Sequence, residues 1–366
     1  MKEINLQEFQ ESRPISSKAW AAYSDKADFK LYEFKRRAVG EYDVLIDILY
    51  SGVCHTDIHV VRGDWNWNVK YPLVPGHEIA GEVIAVGSKV TKFKVGDWVG
   101  VGCMVNSCQT CESCQEDEEQ YCEKVILTYG FDDVFNDNDY TQGGYSNNIV
   151  VNENFVISIP KTADLSKVAP LLCAGITTYS PLRATNVGKG DEVAIVGLGG
   201  LGHMAVQYAS SFGANVSVFA TSENKRELAY KLGAKNFINV KDTQELEKYT
   251  KHFRVILSTV AANYEISDYI KMLKPKGEMI IVGLPSFHNP ATLDTNVFIW
   301  NFRRKLSSSL IGGIKETQEM LDYSVQKGIY PMTENISIQE IDKAYERVLK
   351  SDVQFRFVID MKSLKG

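Results

Sequence analysis

The pattern of apolar and polar positions divides the chain into regions of different character. From about Val39 to Pro160, short stretches rich in β-branched residues, such as EIAGEVIAVGSKV and DWVGVG, are interrupted by Gly, Asp and Pro. This pattern is typical of a strand-rich unit with many turns. We therefore predict that the first region is mostly β-structure.

Near Ala169 the pattern changes to an alternation of apolar strands and amphipathic helices. Strand-like segments such as EVAIVG, NVSVFA and RVILST alternate with helix-like segments such as LGHMAVQYASSFG and SENKRELAYKLG. This alternation indicates βαβ units, in which right-handed crossovers join parallel strands into a doubly wound sheet. After about Ile311, we expect two further helices and a closing strand, FRFVID.

The predicted fold class is therefore α/β, with a strand-rich domain and a doubly wound parallel-sheet domain. We expect the first domain over residues 1–160 and the second over residues 161–310, with residues 311–366 returning to the first. A length of 366 residues suits two or three domains of about 100 to 200 residues each.

Composition and charge limit which classes of binding partner are expected. The chain is 44% hydrophobic and 23% charged, which is typical of a globular protein, and its net charge of -6 disfavours nucleic acid and anionic membranes. The sequence shows neither a signal-peptide pattern nor an apolar run of the roughly 18 residues that span a bilayer. We expect a cytoplasmic protein, whose seven cysteines lie in a reducing compartment, where clustered thiols are more often metal ligands or catalytic groups than disulfides.

A glycine-rich turn connects the strand EVAIV to a helix and matches the dinucleotide fingerprint G-x-G-x-x-G. In this motif Gly197 permits the tight turn, Gly199 lets the backbone approach a pyrophosphate, and Gly202 allows close packing of helix and strand. The residues expected to bind the cofactor here are Gly197, Gly199, Gly200, Leu201 and Gly202. The alternative is a glycine-rich turn without a ligand.

The end of the next strand indicates which dinucleotide is bound. An NAD site usually has Asp or Glu about 20 residues after the first glycine. This chain has Thr221 and Ser222 there, followed by Lys225 and Arg226, a combination that suits the 2'-phosphate of NADP(H). Glu223 lies between them and weakens this prediction. Alternatively, Ser222 caps the helix and the two cations are solvated, and both roles are compatible.

Four cysteines lie within 15 residues in a C-x2-C-x2-C-x7-C pattern, which suits one tetrahedral Zn²⁺ ion with Zn–S distances of about 2.3 Å. They are Cys108, Cys111, Cys114 and Cys122. Because such a site has no open position, we expect it to stabilise a loop and to take no part in the chemistry. Free or disulfide-bonded cysteines are the alternative. The acidic run EDEE, residues 116–119, is interpreted as a solvated loop face.

A second possible metal set is dispersed along the chain and consists of Cys54, His77 and Cys173. Each residue alone is a weak signal, because buried cysteine is common as a small apolar residue and a single histidine usually has a packing role. Together they supply two thiolates and one imidazole, the three-ligand set of a catalytic zinc with an open fourth position. The fold decides whether these residues meet in space.

At these motifs the chain resembles the zinc-dependent medium-chain alcohol dehydrogenases, and within them the cinnamyl-alcohol-dehydrogenase-like group of NADPH-dependent aldehyde reductases. The resemblance runs from about Ala19 to Asp360. It rests, in order, on SGVCHTDIH, YPLVPGHEIAGEV, CQTCESCQEDEEQYC, TQGGYS, APLLCAGITTYSPLR, GLGGLGH, IGGIKETQEM and FRFVID. It implies a GroES-like catalytic domain and a Rossmann cofactor domain, with the active site in the cleft between them.

The resemblance implies roles at the dispersed set. Cys54, His77 and Cys173 would bind the catalytic zinc, and Glu78 would enter the shell of the metal site when that site is empty. Asp57 would accept a hydrogen bond from the non-ligating nitrogen of His77 and so fix its tautomer. Two zinc ions per chain are thus expected.

The resemblance also implies a proton relay through Thr56 and His59. The relay would run from the substrate oxygen through the Thr56 hydroxyl and the cofactor ribose to an imidazole at the surface. The implied reaction transfers hydride from the nicotinamide to the carbonyl carbon of an aldehyde polarised by zinc. For these two residues the alternatives are a strand hydroxyl and a surface imidazole. Arg356 is a further candidate for contact with a cofactor phosphate, and Cys103 is interpreted as a buried thiol.

Large apolar side chains are expected to form the substrate pocket, by their position in the resemblance. They are Trp65, Trp67, Leu127, Phe298, Ile299 and Trp300. Such walls favour aromatic or medium-length aliphatic aldehydes over polyols. In the plant lignin enzymes a Trp usually stands where this chain has Leu127, which argues against a monolignol substrate in particular. Trp65 and Trp67 have core packing as their alternative role.

The leading hypothesis is a zinc- and NADP(H)-dependent alcohol dehydrogenase that acts mainly as an aldehyde reductase and produces primary alcohols. An alternative is an NAD-dependent alcohol or polyol dehydrogenase of the same superfamily, against which the absence of an acidic residue at position 220 argues. A non-catalytic dinucleotide-binding sensor is a third hypothesis, but the zinc-ligand and relay residues are all present. The resemblance suggests a homodimer, with a small aldehyde or alcohol as the ligand and neither nucleic acid nor membrane as a partner.

Overall fold

The computed structural model describes residues 13–137, 139–299, 302–350, 352 and 355–365. The chain divides into two compact units. Unit 1 comprises Met1–Cys173 and Gly313–Gly366, and unit 2 comprises Ala174–Gly312. Strands and helices are numbered below in chain order.

The N-terminal part of unit 1 contains eleven described strands. These are β1 Ile15–Ser24, β2 Ala27–Arg36, β3 Asp43–Val53, β4 Ile79–Val86, β5 Trp98–Val101, β6 Met104–Asn106, β7 Ile126–Leu127, β8 Asp132–Asp133, β9 Asp139–Tyr140, β10 Asn148–Asn152 and β11 Ile157–Ser158. The helices of this part are α1 His55–Arg62, α2 Glu112–Gln115 and α3 Leu165–Val168. Short 3-10 helices cover Glu119–Tyr121, Glu153–Phe155 and Ala169–Leu172.

Unit 2 alternates strands and helices as the sequence pattern predicts. Its strands are β12 Glu192–Val196, β13 Asn215–Ala220, β14 Asn236–Asn239, β15 Phe253–Ser258, β16 Leu273–Ile281 and β17 Lys305–Ser308. Its helices are α4 Ala174–Ala184, α5 Gly202–Ser211, α6 Arg226–Lys231, α7 Thr243–Glu247 and α8 Ile266–Ile270, with 3-10 helices at Glu223–Lys225 and Thr295–Phe298.

The C-terminal part of the chain belongs to unit 1. It contains the strands β18 Thr333–Ile336 and β19 Arg356–Asp360, the helices α9 Ile314–Lys327, α10 Ile341–Leu349 and α11 Lys362–Lys365, and a 3-10 helix at Ile338–Glu340. Among the helices that the structure describes, none is both long enough and apolar enough to cross a membrane.

The main sheet of unit 1 has seven strands and combines both ends of the chain. Its order is β11-β5-β4-β3-β19-β18, and β10 also pairs with β3. The central strand β3 is almost entirely buried, which its apolar sequence DVLIDILYSGV explains. Because β19 pairs with β3 through Phe357 opposite Val53, the C-terminal segment is an integral part of the first unit.

An antiparallel hairpin, β1 and β2, precedes this sheet and is not predicted by the pattern described above. Its register runs from Ile15 opposite Arg36 to Ser24 opposite Ala27. Charged residues alternate with apolar ones on β2, whose outer positions are exposed, so the apolar signal of this strand is weak.

The sheet of unit 2 has six parallel strands in the order β14-β13-β12-β15-β16-β17. The buried core on this sheet includes Phe219, Phe253 and Ile256. Strand order changes direction at β12, where the fingerprint turn follows, and ligands of open α/β sheets bind at such a switch point. The doubly wound arrangement predicted for this part of the chain is present.

Candidate active site and metal centres

Three buried residues, Cys54, His77 and Cys173, come together in unit 1 although they are far apart in the sequence. Their ligand atoms and a carboxylate oxygen of Glu78 all lie within 4.8 Å of one another. The two sulfur atoms are 3.9 Å apart, across 119 positions of sequence. The structure thus assembles the dispersed set in one place.

The sheet of unit 1 explains this convergence. Cys54 follows β3 directly and precedes α1, while His77 and Glu78 precede β4, the strand that pairs with β3. The Gly52 N–H donates to the Glu78 carbonyl at 2.9 Å, which aligns the two segments. Cys173 ends the 3-10 helix Ala169–Leu172, which contacts β3 and β4.

The donor set fits a zinc ion. His77 Nδ1 lies 3.0 Å from Asp57 Oδ1, and the buried Nε2 has no hydrogen-bond partner among the described residues. A hydrogen bond from Cys173 is the main cause that lowers the pKa of the Cys54 thiol well below its usual value. Two sulfur donors and one free imidazole nitrogen are the ligands that tetrahedral Zn²⁺ prefers.

Glu78 forms a buried ion pair with Arg356, whose guanidinium donates to Glu78 Oε1. The other carboxylate oxygen, Oε2, is buried and lacks a partner within the described part of the chain. A Cβ atom on Gly52 would lie only 1.9 Å from this oxygen, so glycine leaves the room that the carboxylate occupies. The Arg356 side chain is therefore engaged inside unit 1 with Glu78, a contact that the sequence pattern does not indicate.

Asp57 is fully buried in α1 and links the metal set to its surroundings. Its carboxylate accepts hydrogen bonds from the Cys54 N–H at 2.9 Å, from the Gly76 N–H at 3.2 Å and from His77. Burial opposes protonation of His77, but the negative charge of Asp57 raises the pKa of the imidazole well above its ordinary value. Two tyrosines, Tyr129 and Tyr145, also donate to Asp57 and are not identified from the sequence.

The proposed relay residues lie on one helix. Thr56 and His59 both belong to α1, so the alternative of a strand hydroxyl at Thr56 is wrong. His59 Nδ1 is 2.7 Å from Asp64 Oδ2, and its ring stacks on Trp65 with centroids 5.0 Å apart. Asp64 and Trp65 cover part of the ring, so that 12% of the His59 side chain is exposed.

The four clustered cysteines, Cys108, Cys111, Cys114 and Cys122, also have their sulfur atoms within 4.8 Å of one another. Sulfur–sulfur distances are 3.5 Å for Cys111 and Cys114 and 3.5 Å for Cys122 and Cys108, and none of the four forms a disulfide. Backbone N–H groups of Thr110 and Cys111 lower the pKa of Cys108 to about 6, whereas burial raises the pKa of Cys114 to about 12, so in the absence of metal the thiolate is favoured at Cys108 and not at Cys114.

The acidic run beside this cluster is largely exposed, as interpreted from the sequence, but two of its residues also make specific contacts. Asp117 Oδ2 is 2.7 Å from Lys315 Nζ, and Glu119 accepts a hydrogen bond from the Ile314 N–H at 3.0 Å. Ile314 begins α9, where a carboxylate is favoured by the helix dipole. The cysteine lobe is thereby attached to the C-terminal segment of unit 1.

In unit 2 the fingerprint turn has an open face. Gly197 has φ of +92°, a conformation that favours glycine, and a Cβ on Gly202 would lie 2.0 Å from the Gly197 carbonyl oxygen. At Gly199, in contrast, a Cβ would meet no described atom within 4 Å. Gly200 and Leu201 are partly exposed at the start of α5. The turn thus offers backbone N–H groups at a helix N-terminus, a favourable place for a pyrophosphate.

The residues after β13 form the predicted 2'-phosphate region. Thr221 and Ser222 are exposed, and Ser222 stands at the N-cap position of the 3-10 helix Glu223–Lys225, where its side chain makes no capping hydrogen bond to a described residue. Lys225 Nζ donates to the Leu198 carbonyl at 3.0 Å, and burial lowers the pKa of Lys225. Arg226 pairs with Glu223 and donates to the Phe237 carbonyl at 3.1 Å, so it is not freely solvated.

The candidate substrate residues are distributed over both units. In unit 1, Trp65 is buried between His59 and Trp67, with ring centroids 5.2 Å apart for the two tryptophans, and Leu127 is partly buried in β7. In unit 2, Phe298 packs on the core of the parallel sheet and Ile299 is 72% exposed. Trp300 lies outside the described residues.

Comparisons with known proteins agree with this geometry. The family model described as "Alcohol dehydrogenase GroES-like domain" matches residues 40–161, and the one described as "Zinc-binding dehydrogenase" matches residues 200–326. The aldehyde reductase YahK of Escherichia coli is 47% identical over 95% of this chain and 99% of its own length. A mannitol dehydrogenase of Petroselinum crispum is 47% identical over 90% of this chain and 97% of its own length.

A solved structure, that of a CAD from Helicobacter pylori complexed with NADP(H), has a TM-score of 0.91 and 49% identity, covering 96% of this chain and 99% of that one. The fold and the site define an oxidoreductase that acts on alcohols and carbonyl compounds. The chain belongs to the zinc-binding medium-chain alcohol dehydrogenase family. The predicted family, the GroES-like plus Rossmann fold class and the class of reaction are confirmed.

Proposed function

We propose that this protein is a zinc-dependent aldehyde reductase that uses NADPH to convert aldehydes to primary alcohols. The observation that supports it most strongly is the convergence of Cys54, His77 and Cys173 within 4.8 Å, with a partnerless Nε2 on His77. The NADP(H) bound in the Helicobacter pylori relative and the aldehyde reductase activity named for the Escherichia coli relative support the same proposal.

Two metal sites are part of the proposal. Cys54, His77 and Cys173 would hold a catalytic zinc, and the four clustered cysteines would hold a structural one. When bound at the three-ligand site, zinc supplies Lewis-acid polarisation of a substrate oxygen at its open position. Asp57 holds the Nδ1–H tautomer of His77 and leaves Nε2 free to bind.

Unit 2 would hold the nucleotide. The N–H groups from Gly199 to Gly202 suit the pyrophosphate, and the open space at Gly199 lets it approach the backbone. Thr221, Ser222 and Lys225 would bind the 2'-phosphate, with Arg226 adding charge nearby although Glu223 neutralises part of it. When bound there, NADPH would supply the hydride for the carbonyl carbon.

Thr56 and His59 would deliver the proton that completes the alcohol. His59 Nδ1 is 2.7 Å from Asp64 Oδ2, and Nε2 has no hydrogen-bond partner among the described residues, so Nε2 would be the nitrogen that takes part in the relay. We assign contact with the substrate to Trp65 and Leu127 in unit 1 and to Phe298 and Ile299 in unit 2, whose apolar side chains would favour aromatic or medium-chain aldehydes.

A second candidate is the oxidation of a polyol, which the similarity to the Petroselinum crispum mannitol dehydrogenase favours. Initial rates separate the two. We would measure the initial rates at which benzaldehyde, cinnamaldehyde and a short aliphatic aldehyde are reduced with NADPH and with NADH. The initial rates of mannitol oxidation are measured with NADP⁺ and with NAD⁺. Each rate is taken before and after chelation of metal. Fast, metal-dependent aldehyde reduction with NADPH supports the proposal, whereas faster mannitol oxidation or better use of NADH overturns it.

Three finer proposals complete the description. We infer a homodimer, a cytoplasmic location and domain boundaries near residues 160 and 310. Sedimentation of the purified chain at a single monomer mass of 41.0 kDa would contradict the dimer. Cell fractionation tests the cytoplasmic location. Limited proteolysis tests the domain boundaries, and cleavage elsewhere with both boundary regions left intact would contradict them.

A further inference from the structure

Asp57 is surrounded by hydrogen-bond donors to an extent that its role beside His77 does not require. The side chain is fully buried in unit 1 and accepts five hydrogen bonds, three of which come from Cys54, Gly76 and His77. The remaining two donors are the hydroxyl groups of Tyr129 and Tyr145. Each carboxylate oxygen therefore receives one phenol.

Tyr129 contacts the metal set in two ways. Its hydroxyl donates to Asp57 Oδ1 at 2.8 Å, the same oxygen that faces His77 Nδ1. Its ring stacks on the His77 ring, with centroids 5.9 Å apart and an interplanar angle of 30°. Tyr129 thus limits both the direction of the carboxylate and the tilt of the imidazole.

Tyr145 holds the opposite oxygen, Asp57 Oδ2, at 3.2 Å. It is fully buried, and its backbone N–H donates to the Pro75 carbonyl at 3.0 Å, two residues before His77. Arg36 fixes the loop of Tyr145 by donating to the Gln142 carbonyl and to Ser146 Oγ, each at 2.8 Å. The loop that contains Tyr145 therefore holds the Pro75 segment that leads into His77, and it also supplies the phenol that donates to Asp57.

We propose that Tyr129 and Tyr145 are positioning residues for the zinc-binding nitrogen of His77, acting through Asp57. The Cys54 and Gly76 N–H groups already donate to one oxygen each, and the phenols of Tyr129 and Tyr145 add a further buried donor to each, which narrows the orientations left to the carboxylate. The direction of the Nδ1–H bond then sets the direction of Nε2, because the imidazole is planar and rigid. This inference rests on the proposed zinc site at Cys54, His77 and Cys173.

The test removes one hydroxyl at a time and keeps the ring. Tyr129→Phe and Tyr145→Phe are compared with Tyr264→Phe, a control that removes the 2.7 Å hydrogen bond between Tyr264 and Ser258 in unit 2. Two properties are measured for each protein: the rate of zinc transfer to a chromophoric chelator, and the visible spectrum after Co²⁺ replaces the labile zinc. A Cys173→Ser variant identifies the kinetic phase that belongs to the three-ligand site.

We expect zinc release from the three-ligand site to be about 10-fold faster in both tyrosine variants, since groups that hold a metal ligand in place typically contribute 10- to 100-fold to affinity. The Co²⁺ bands should shift in both, and release from the four-cysteine site should stay unchanged. Tyr264→Phe should change neither property. If the two tyrosine variants release zinc at the wild-type rate with an unshifted Co²⁺ spectrum, the inference is overturned and the hydroxyls only satisfy a buried carboxylate.

Failure of the proposed function would give a different result. If the wild-type protein binds only one zinc ion, or if the Cys173→Ser variant still binds two, the proposed catalytic zinc site at Cys54, His77 and Cys173 is contradicted. A variant that fails to fold is identified by thermal unfolding before metal is measured, and the other tyrosine variant then decides.

Discussion

Lys225 Nζ donates to the carbonyl oxygen of Leu198 at 3.0 Å. A side chain that follows β13 is thus hydrogen-bonded to the turn that follows β12. The contact places the cation of the proposed 2'-phosphate region beside the turn proposed to hold the pyrophosphate. Partial burial of Lys225 also lowers its pKa. The same side chain is thus suited to a structural and a binding role.

Replacement of Lys225 by Met is expected to weaken NADPH binding about 10- to 100-fold, because a charge-assisted hydrogen bond contributes about 1.5–3 kcal/mol. NADH has no 2'-phosphate, so its dissociation constant should change less than threefold. Fluorescence titration with both nucleotides measures the two constants. Equal weakening of both would mean that Lys225 acts only through the Leu198 carbonyl.

Two glycines of the fingerprint turn should respond differently to alanine. At Gly199 a Cβ would meet no described atom within 4 Å, so Gly199→Ala should keep the wild-type melting temperature yet bind nucleotide at least 10-fold more weakly. At Gly202 a Cβ would lie 2.0 Å from the Gly197 carbonyl oxygen, so Gly202→Ala should lower the melting temperature. Calorimetry with and without NADPH checks both, and a normal nucleotide affinity for Gly199→Ala would contradict a pyrophosphate at this turn.

Removal of only one partner of the buried ion pair between Glu78 and Arg356 should lower the free energy of unfolding strongly. The two side chains are 0% and 5% exposed, and removal of one partner from such a pair typically costs about 3–5 kcal/mol. Arg356→Met should therefore destabilise unit 1 strongly, and a second change, Glu78→Gln, should recover most of the loss by removing the unpaired charge. Urea unfolding of both proteins in excess zinc measures this, and a double variant no more stable than the single one would contradict it.

The stability of unit 2 should depend on pH through His203. Burial lowers the pKa of this histidine to about 4, from an ordinary value of 6.5. Because the unfolded chain binds a proton at His203 more readily than the folded chain, protonation lowers the free energy of unfolding of unit 2. The contribution of His203 to this free energy is fully present above about pH 6.5 and is lost as the pH falls toward 4. A shift of this size corresponds to about 3 kcal/mol.

His203→Gln provides the matched control, because an amide can still donate to the Gly199 carbonyl, which lies 3.1 Å from His203 Nδ1. Hydrogen exchange of peptides from β12 and β15, at pH 7 and pH 5, follows the stability of unit 2 in both proteins. The variant should lose less protection at pH 5 than the wild type. An identical loss in both would show that His203 is not the titrating group.

Features that depend on residues close together in the chain could be predicted from the sequence. The turn around Gly197, the cluster from Cys108 to Cys122 and the alternation of strands and helices in unit 2 are all recognisable, because hydrogen bonds and ligands within a short segment impose a fixed spacing. The chemical nature of the second metal set could also be inferred, since two cysteines and one histidine match a zinc site with an open position.

Contacts between residues far apart in the sequence depend on the three-dimensional fold. Cys54 and Cys173 come together across 119 positions because the 3-10 helix before Cys173 contacts β3 and β4. Glu78 pairs with Arg356 across 278 positions because strands from both ends of the chain lie side by side in one sheet. The phenols that surround Asp57 could not be predicted, since a tyrosine in a sequence is equally typical of a core, a surface or a site. Burial and direction of a side chain arise from packing between segments, and no local pattern specifies them.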